Sequence, residues 1–185
     1  MCIRDRFSSE ESDGPVSPVG ATTSAPHPTT TEASTLPVVI RPLLAAAVNP
    51  DGTPVDGQVH NIVDQDNTTS WTTTRDVAVV LRGGDVTGPF RLEHMLIDAP
   101  TDTGPYEIYG LPADFSGGSD GSGITREQWS QFPLLASGTL HKGQNNIDFE
   151  AREVSGVVIY LPPREDGTGA GEATLRNVSL IGYMK

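Results

Sequence analysis

The chain has 185 residues, with 24 acidic against 12 basic side chains, a formal net charge of −12 and a single cysteine, Cys2. An acidic surface of this kind repels phosphate backbones, which argues against nucleic acid as a partner. One thiol at the extreme N-terminus excludes disulfide frameworks, cysteine-zinc sites and cysteine nucleophiles from the rest of the chain, and the apolar run from Val38 to Val48, broken by Arg41 and Pro42, is too short to span a bilayer.

In chain order, the first six residues, MCIRDR, look like the translation of a library-preparation adapter. On that reading Met1 is not a biological start and upstream domains are missing. From Phe7 to Leu36 the chain is built of Ser, Thr, Pro, Gly, Ala and Glu with almost no large apolar side chain, so it cannot bury enough surface to offset its ordering entropy. It is expected to be a disordered linker.

Composition changes at Pro37, and Pro37 to Lys185 suits one domain with one core. Val38 to Val48 reads as one entering strand, ended by the turn Asn49-Pro50-Asp51-Gly52. Trp71 opens the next strand, where β-branched Thr72, Thr73 and Thr74 favour extended backbone. Further strands are expected at Val77 to Arg82, Phe90 to Asp98, Tyr106 to Leu111, Leu134 to Leu140, Asn146 to Phe149, Gly156 to Leu161 and Ala173 to Tyr183. One helical turn is expected at Thr125 to Phe132, where a Thr cap precedes Glu127 and Gln128, after a mobile glycine-rich loop from Asp114 to Gly123. Short strands separated by Gly/Pro/Asp clusters point to an all-β, antiparallel sandwich.

The stretch from Ile62 to Thr73, IVDQDNTTSWTT, concentrates the functional signal. Asp64 and Asp66 sit two apart, so in an extended loop their carboxylates can converge with the Thr69 hydroxyl around a hard cation. Trp71 brings a large apolar surface normally buried. Asp64, Asp66, Thr69 and Trp71 stand in register with the D-G-[ND]-x-x-T-x-W segment of the discoidin or galactose-binding-like family, with Gln65 in place of the usual glycine. That resemblance implies a jelly-roll β-sandwich, a tryptophan in the core and a structural calcium. The glutamate that often completes the family's calcium shell from the last strand corresponds here to Asn177, a weaker ligand. Two readings therefore stand for Asp64, Asp66, Thr69 and Asn177: a calcium site, or a metal-free turn held by the same side chains.

Sugar binding calls for an aromatic surface beside hydrogen-bonding groups in the loops at one end of a sandwich, and the candidates are Arg75, Tyr106 and Trp129. Each also has a plain structural reading: a solvated arginine, a half-buried strand tyrosine and a tryptophan covering a sheet edge. Catalysis finds little support. His27, His60, His94 and His141 form no H-x-x-x-H pair, G-x-S-x-G is absent, and no spacing singles out an acid and a base.

A wider resemblance covers Pro37 to Lys185. The Asn-Pro-Asp-Gly turn, the D-Q-D-N-T-T-S-W segment, ARE at Ala151 to Glu153 before VSGVVIYLP, and the closing RNVSLIGY are similar to the C-terminal extracytoplasmic domain of actinobacterial MurJ/MviN-type membrane proteins, whose core is a lipid II flippase. It implies a non-enzymatic, extracytoplasmic accessory domain, fused to a missing membrane or wall-associated region, that binds cell-envelope glycan or an envelope protein. The alternatives are a protein-interaction or structural sandwich without a sugar ligand, and the binding module of a secreted glycosidase.

Overall fold

Two near-continuous apolar runs, VAVVL in β4 (Val77–Gly83) and GVVIYL in β9 (Gly156–Leu161), lie side by side inside a five-stranded antiparallel sheet. Strands apolar at successive positions must be covered on both faces, and every residue from Val77 to Leu81 and from Gly156 to Leu161 is buried. The structure is a computed structural model and describes residues 36–55, 57–83, 88–115, 123–164 and 171–184. The adapter-like start, the expected linker except Leu36, and most of the glycine-rich loop lie outside the described residues, which all fall within one unit, Glu32–Lys185.

The other strands are β1 (Val38–Ile40), β2 (Pro42–Val48), β3 (Trp71–Thr74), β5 (Phe90–Ala99), β6 (Gly104–Leu111), β7 (Leu134–Leu140), β8 (Gly143–Val154), β10 (Glu172–Leu175) and β11 (Asn177–Tyr183), with a 3-10 turn at Val59–Ile62 and a short helix α1 (Arg126–Trp129). They form a five-stranded sheet in the order β2-β4-β9-β6-β7, a four-stranded sheet β1-β11-β5-β8 and the pair β10-β3, and every pairing is antiparallel. This is the expected jelly-roll sandwich. Trp71, Phe90, Leu92, Met95, Ile97, Ile108, Leu140 and Ile159 fill the interior between the sheets. In β5 a bulge between Leu92 and His94 resets the alternation, so that Phe90 and Leu92 before it and Met95, Ile97 and Ala99 after it all point inward.

A second apolar cluster covers the outer face of the five-stranded sheet. Val80, Leu111, Ile124, Trp129, Val158 and Tyr160 pack there, with Phe115 and Phe132 against them. The segment bearing α1 thus acts as a lid on one part of that sheet. Its helix begins as expected: the Thr125 N–H donates to the Gln128 side-chain oxygen at 2.9 Å, the reach-back half of a capping box.

Three expected strands differ in extent. The entering strand is two, β1 in the four-stranded sheet and β2 in the five-stranded one, divided at Arg41. Pro42 fixes its own φ, restricts Arg41 and offers no N–H to a ladder, so the chain changes sheets there. The closing strand is likewise two, β10 and β11, divided at Arg176. The Arg176 N–H donates to the Asp98 carbonyl at 2.8 Å, and its Nε and Nη2 reach Asp98 Oδ2 at 2.8 and 2.7 Å, which locks the crossing. Asn146 to Phe149 is only the middle of β8, a strand whose mostly exposed polar positions hide its length from hydrophobic patterning.

Trp71 is 3% exposed within the main core. Replacing it with alanine should cost about 3–5 kcal/mol. Urea unfolding of the variant measures this, and a cost under about 1 kcal/mol would contradict the core assignment.

Candidate functional site

The acidic loop before Trp71 folds into successive side-chain-stabilised turns. Asp64 Oδ1 accepts from the Asp66 N–H at 2.9 Å, and Asp64 Oδ2 accepts from the Thr69 hydroxyl at 2.8 Å. Asp66 Oδ1 accepts from both the N–H and the hydroxyl of Thr68, at 2.8 and 2.7 Å. These bonds hold the Asp66 carboxyl below its ordinary range, chiefly through the Thr68 hydroxyl. With its folded pKa depressed, Asp66 supports the turn at neutral pH, and the support fades as pH falls through that lowered value.

The structure brings Asp64, Asp66 and Thr69 together and sets Asn177 against the same loop, with its Oδ1 buried and without a hydrogen-bond partner among the described residues. Asn177 Nδ2 donates to Asn67 Oδ1 at 2.6 Å. Both carboxylates are committed to their turns, and among the described residues no three acidic or histidine side chains group around one point. For the calcium shell implied by the resemblance the loop offers two carboxylates already engaged in turn hydrogen bonds, the Thr69 hydroxyl and one neutral amide, a thinner donor set than a shell completed by a glutamate. Gln65 has φ +63°, the left-handed backbone for which the family's glycine is suited.

A cleft of about 1060 Å³ lies over β6, β7 and β9, bordered by Glu107, Arg126, Ser137, Thr139, Tyr160 and Arg164. Register assembles it. Glu107 is opposite Tyr160 on one side and Ser137 on the other, so the three stand in one row across adjacent strands. Arg126, carried by α1, places its guanidinium 5.0 Å from the Tyr160 ring centre and 3.9 Å from the Asp76 carboxylate. The Tyr160 hydroxyl donates to Asp76 Oδ1, and the Tyr109 hydroxyl to Glu107 Oε2, each at 2.6 Å. Burial first, then these carboxylates, push both phenols up, Tyr109 to about 12, so both remain donors throughout the neutral range.

Arg75 is 3% exposed. Its Nε donates to the Pro162 carbonyl at 2.6 Å, and its two terminal nitrogens donate to the carbonyls of Thr103 and Pro105. It ties the start of β6 to the end of β9 at Pro105 and Pro162, which border the cleft, so it is neither a solvent-facing ligand residue nor the solvated arginine of its plain reading. Trp129, 1% exposed, packs with its ring centre 5.7 Å from that of Tyr160 and shows no face to solvent. Tyr106 borders the cleft, but it is 8% exposed and its ring lies against Gly138 within the main core. Glu107, Arg126, Thr139 and Arg164 were not singled out by sequence reasoning. The alternation Glu107, Tyr109 on β6 was the one available signal, and its meaning depends on a register that only the fold supplies.

No protein-family model and no curated protein matches this chain. Solved structures do share its fold. A truncated AlyQ with CBM32 and alginate lyase domains aligns over 81% of this chain with a TM-score of 0.56 and 11% identity, and this chain spans 34% of that protein's length. The CBM32 of AlyQ in complex with 4,5-unsaturated mannuronic acid aligns over 77% of this chain and 97% of that one, with a TM-score of 0.55 and 12% identity. The family 32 CBM from C. perfringens NanJ in complex with galactose aligns over 79% and 99%, with a TM-score of 0.52 and 15% identity. The chain thus has the discoidin-like, galactose-binding-like β-sandwich fold of CBM32 domains.

Two expectations follow for the acidic loop. Gln65→Gly should stabilise the protein by about 0.5–1 kcal/mol, because the relief of left-handed strain exceeds the added backbone entropy; chemical denaturation measures it, and a loss of stability would contradict the strain. Millimolar calcium and EDTA should each leave the melting temperature within about 2 °C, whereas a calcium-induced rise above about 5 °C would show that the loop does form a metal site.

Proposed function

We propose that this domain is a non-catalytic accessory module that holds a larger protein on a cell-envelope glycan. The observation that carries the reading is the cleft over β6, β7 and β9, where a carboxylate (Glu107), two guanidinium groups (Arg126 and Arg164) and two hydroxyls (Ser137 and Thr139) border one concave space. Sugars offer closely spaced hydroxyls that both donate and accept, and such a mixed border matches them. Glu107 accepts, the arginines donate, and Ser137 and Thr139 do either. The Arg126 guanidinium covers Tyr160, so a planar cation rather than an aromatic ring supplies the flat surface there. Asp76 is held by Tyr160 and lies near Arg126, Glu107 is held by Tyr109, and among the described residues no second carboxylate borders the cleft with Glu107, an arrangement that suits binding rather than hydrolysis.

The shared fold supports this reading, as do the neighbours crystallised with galactose and with an unsaturated mannuronic acid. The parent is proposed from the segments quoted above: an actinobacterial membrane protein of the MurJ/MviN type, with this domain on the extracytoplasmic side and calcium not required for its fold.

Affinity electrophoresis and calorimetry against neutral and acidic polysaccharides test the site. Glu107→Gln and Arg126→Ala should each weaken binding by roughly tenfold or more, as expected for loss of one charge-assisted hydrogen bond, while Glu150→Gln on β8 should not. Failure of the intact chain to bind any glycan, or indifference to Glu107 and Arg126, would overturn the reading in favour of a protein-interaction or structural sandwich.

A further inference from the structure

Among the described residues, one end of the cleft carries positive charge without a carboxylate partner. Arg164 borders the cleft, donates its Nη2 to the Asp102 carbonyl at 3.1 Å, and has a buried Nε with no hydrogen-bond partner among the described residues. Arg75 lies directly behind it, engaged with three backbone carbonyls. Neither arginine has an acidic side chain within ion-pair distance among the described residues. Backbone carbonyls satisfy donors but do not neutralise charge, so two guanidinium groups held together are mutually unfavourable until an anion joins them.

The chain makes room for this pair. Gly104 has φ +91°, and a side-chain carbon there would lie 3.3 Å from both Arg75 Nη1 and Arg164 Nε. Gly171, at φ +62°, would place one 3.5 Å from Arg75 Cδ and 3.6 Å from Arg164 Cδ. In a protein of net charge −12, two such glycines surround two arginines that have no acidic partner among the described residues.

We propose that the Arg164 end of the cleft seats the carboxylate of an acidic sugar, with the neighbouring hydroxyls of that sugar directed to the Glu107 end; this rests on the cleft being the glycan site. A carboxylate in the cleft accepts from the terminal N–H groups of Arg164, whose buried Nε stays turned toward Gly104 and Arg75. Glu107 on the same border sets the limit at one negative charge, since a dianionic phosphate would meet that carboxylate.

The test compares polymannuronate with mannan and polygalacturonate with galactan, by affinity electrophoresis of the full chain. The acidic member of at least one pair should bind roughly tenfold tighter than its neutral counterpart, and Arg164→Gln should bring that ratio close to one. Arg164→Lys, which keeps the charge, should retain part of the preference, and thermal melting checks that both variants fold. Equal affinity within both pairs overturns this inference and leaves glycan binding standing. An acidic preference that survives Arg164→Gln places the carboxylate elsewhere and overturns the assignment. Binding of none of the four polymers overturns this inference, and the glycan reading is then decided by the wider panel of neutral and acidic polysaccharides.

Discussion

The architecture depends on the double-sided burial of β4 and β9. Because VAVVL and GVVIYL are apolar at successive positions, one face of the five-stranded sheet must meet the four-stranded sheet and the other needs a separate cover. The segment carrying α1 supplies that cover with Ile124, Trp129 and Phe132, and Tyr160 closes the edge of the covered area. Beside that cover, over β6, β7 and the end of β9, lies the cleft. The site is therefore positioned by where apolar cover ends, and Arg126, sent from α1 onto Tyr160, marks that boundary.

Arg75 links this packing to the site. Its sequence neighbours, Thr74 and Asp76, suggest a polar loop residue, yet it is enclosed by the carbonyls of Thr103, Pro105 and Pro162. Two of those carbonyls belong to prolines, which occur where no ladder N–H is needed, so strand ends that cannot pair with each other are joined through a guanidinium instead. Asp76 follows with φ +70°, and its carboxylate turns back to Tyr160. The two residues before β4 thus anchor Pro105, Pro162 and Tyr160, all of which border the cleft.

Sequence patterning made the sandwich legible wherever burial is one-sided or complete: Trp71, the β4 and β9 runs, and the Thr125 to Gln128 cap stand where patterning puts them. It did not reveal sheet crossings. Arg41 and Arg176 each end one strand and begin another in a different sheet, and apolar residues on both sides read as continuous. Nor did it reveal most of β8, whose exposed positions are polar. The site was less legible still. Arg75 and Trp129 carry chemistry suited to sugars, but they are spent on carbonyl anchoring and core packing, whereas Glu107, Ser137 and Tyr160 become neighbours only through a register between strands far apart in sequence. The Asp64 to Trp71 motif marked the fold correctly and holds its own turns through side-chain hydrogen bonds.

The central claim is that the glycan site lies on the outer face over β6, β7 and β9. Nuclear magnetic resonance titration of the isotopically labelled chain with the glycan it binds best tests this most directly. The account predicts that amide shifts concentrate at Glu107, Arg126, Ser137 to Thr139 and Arg164. Shifts concentrated instead at Asp64 to Thr69, or around Asn177 and Ser179 on the other sheet, would contradict it.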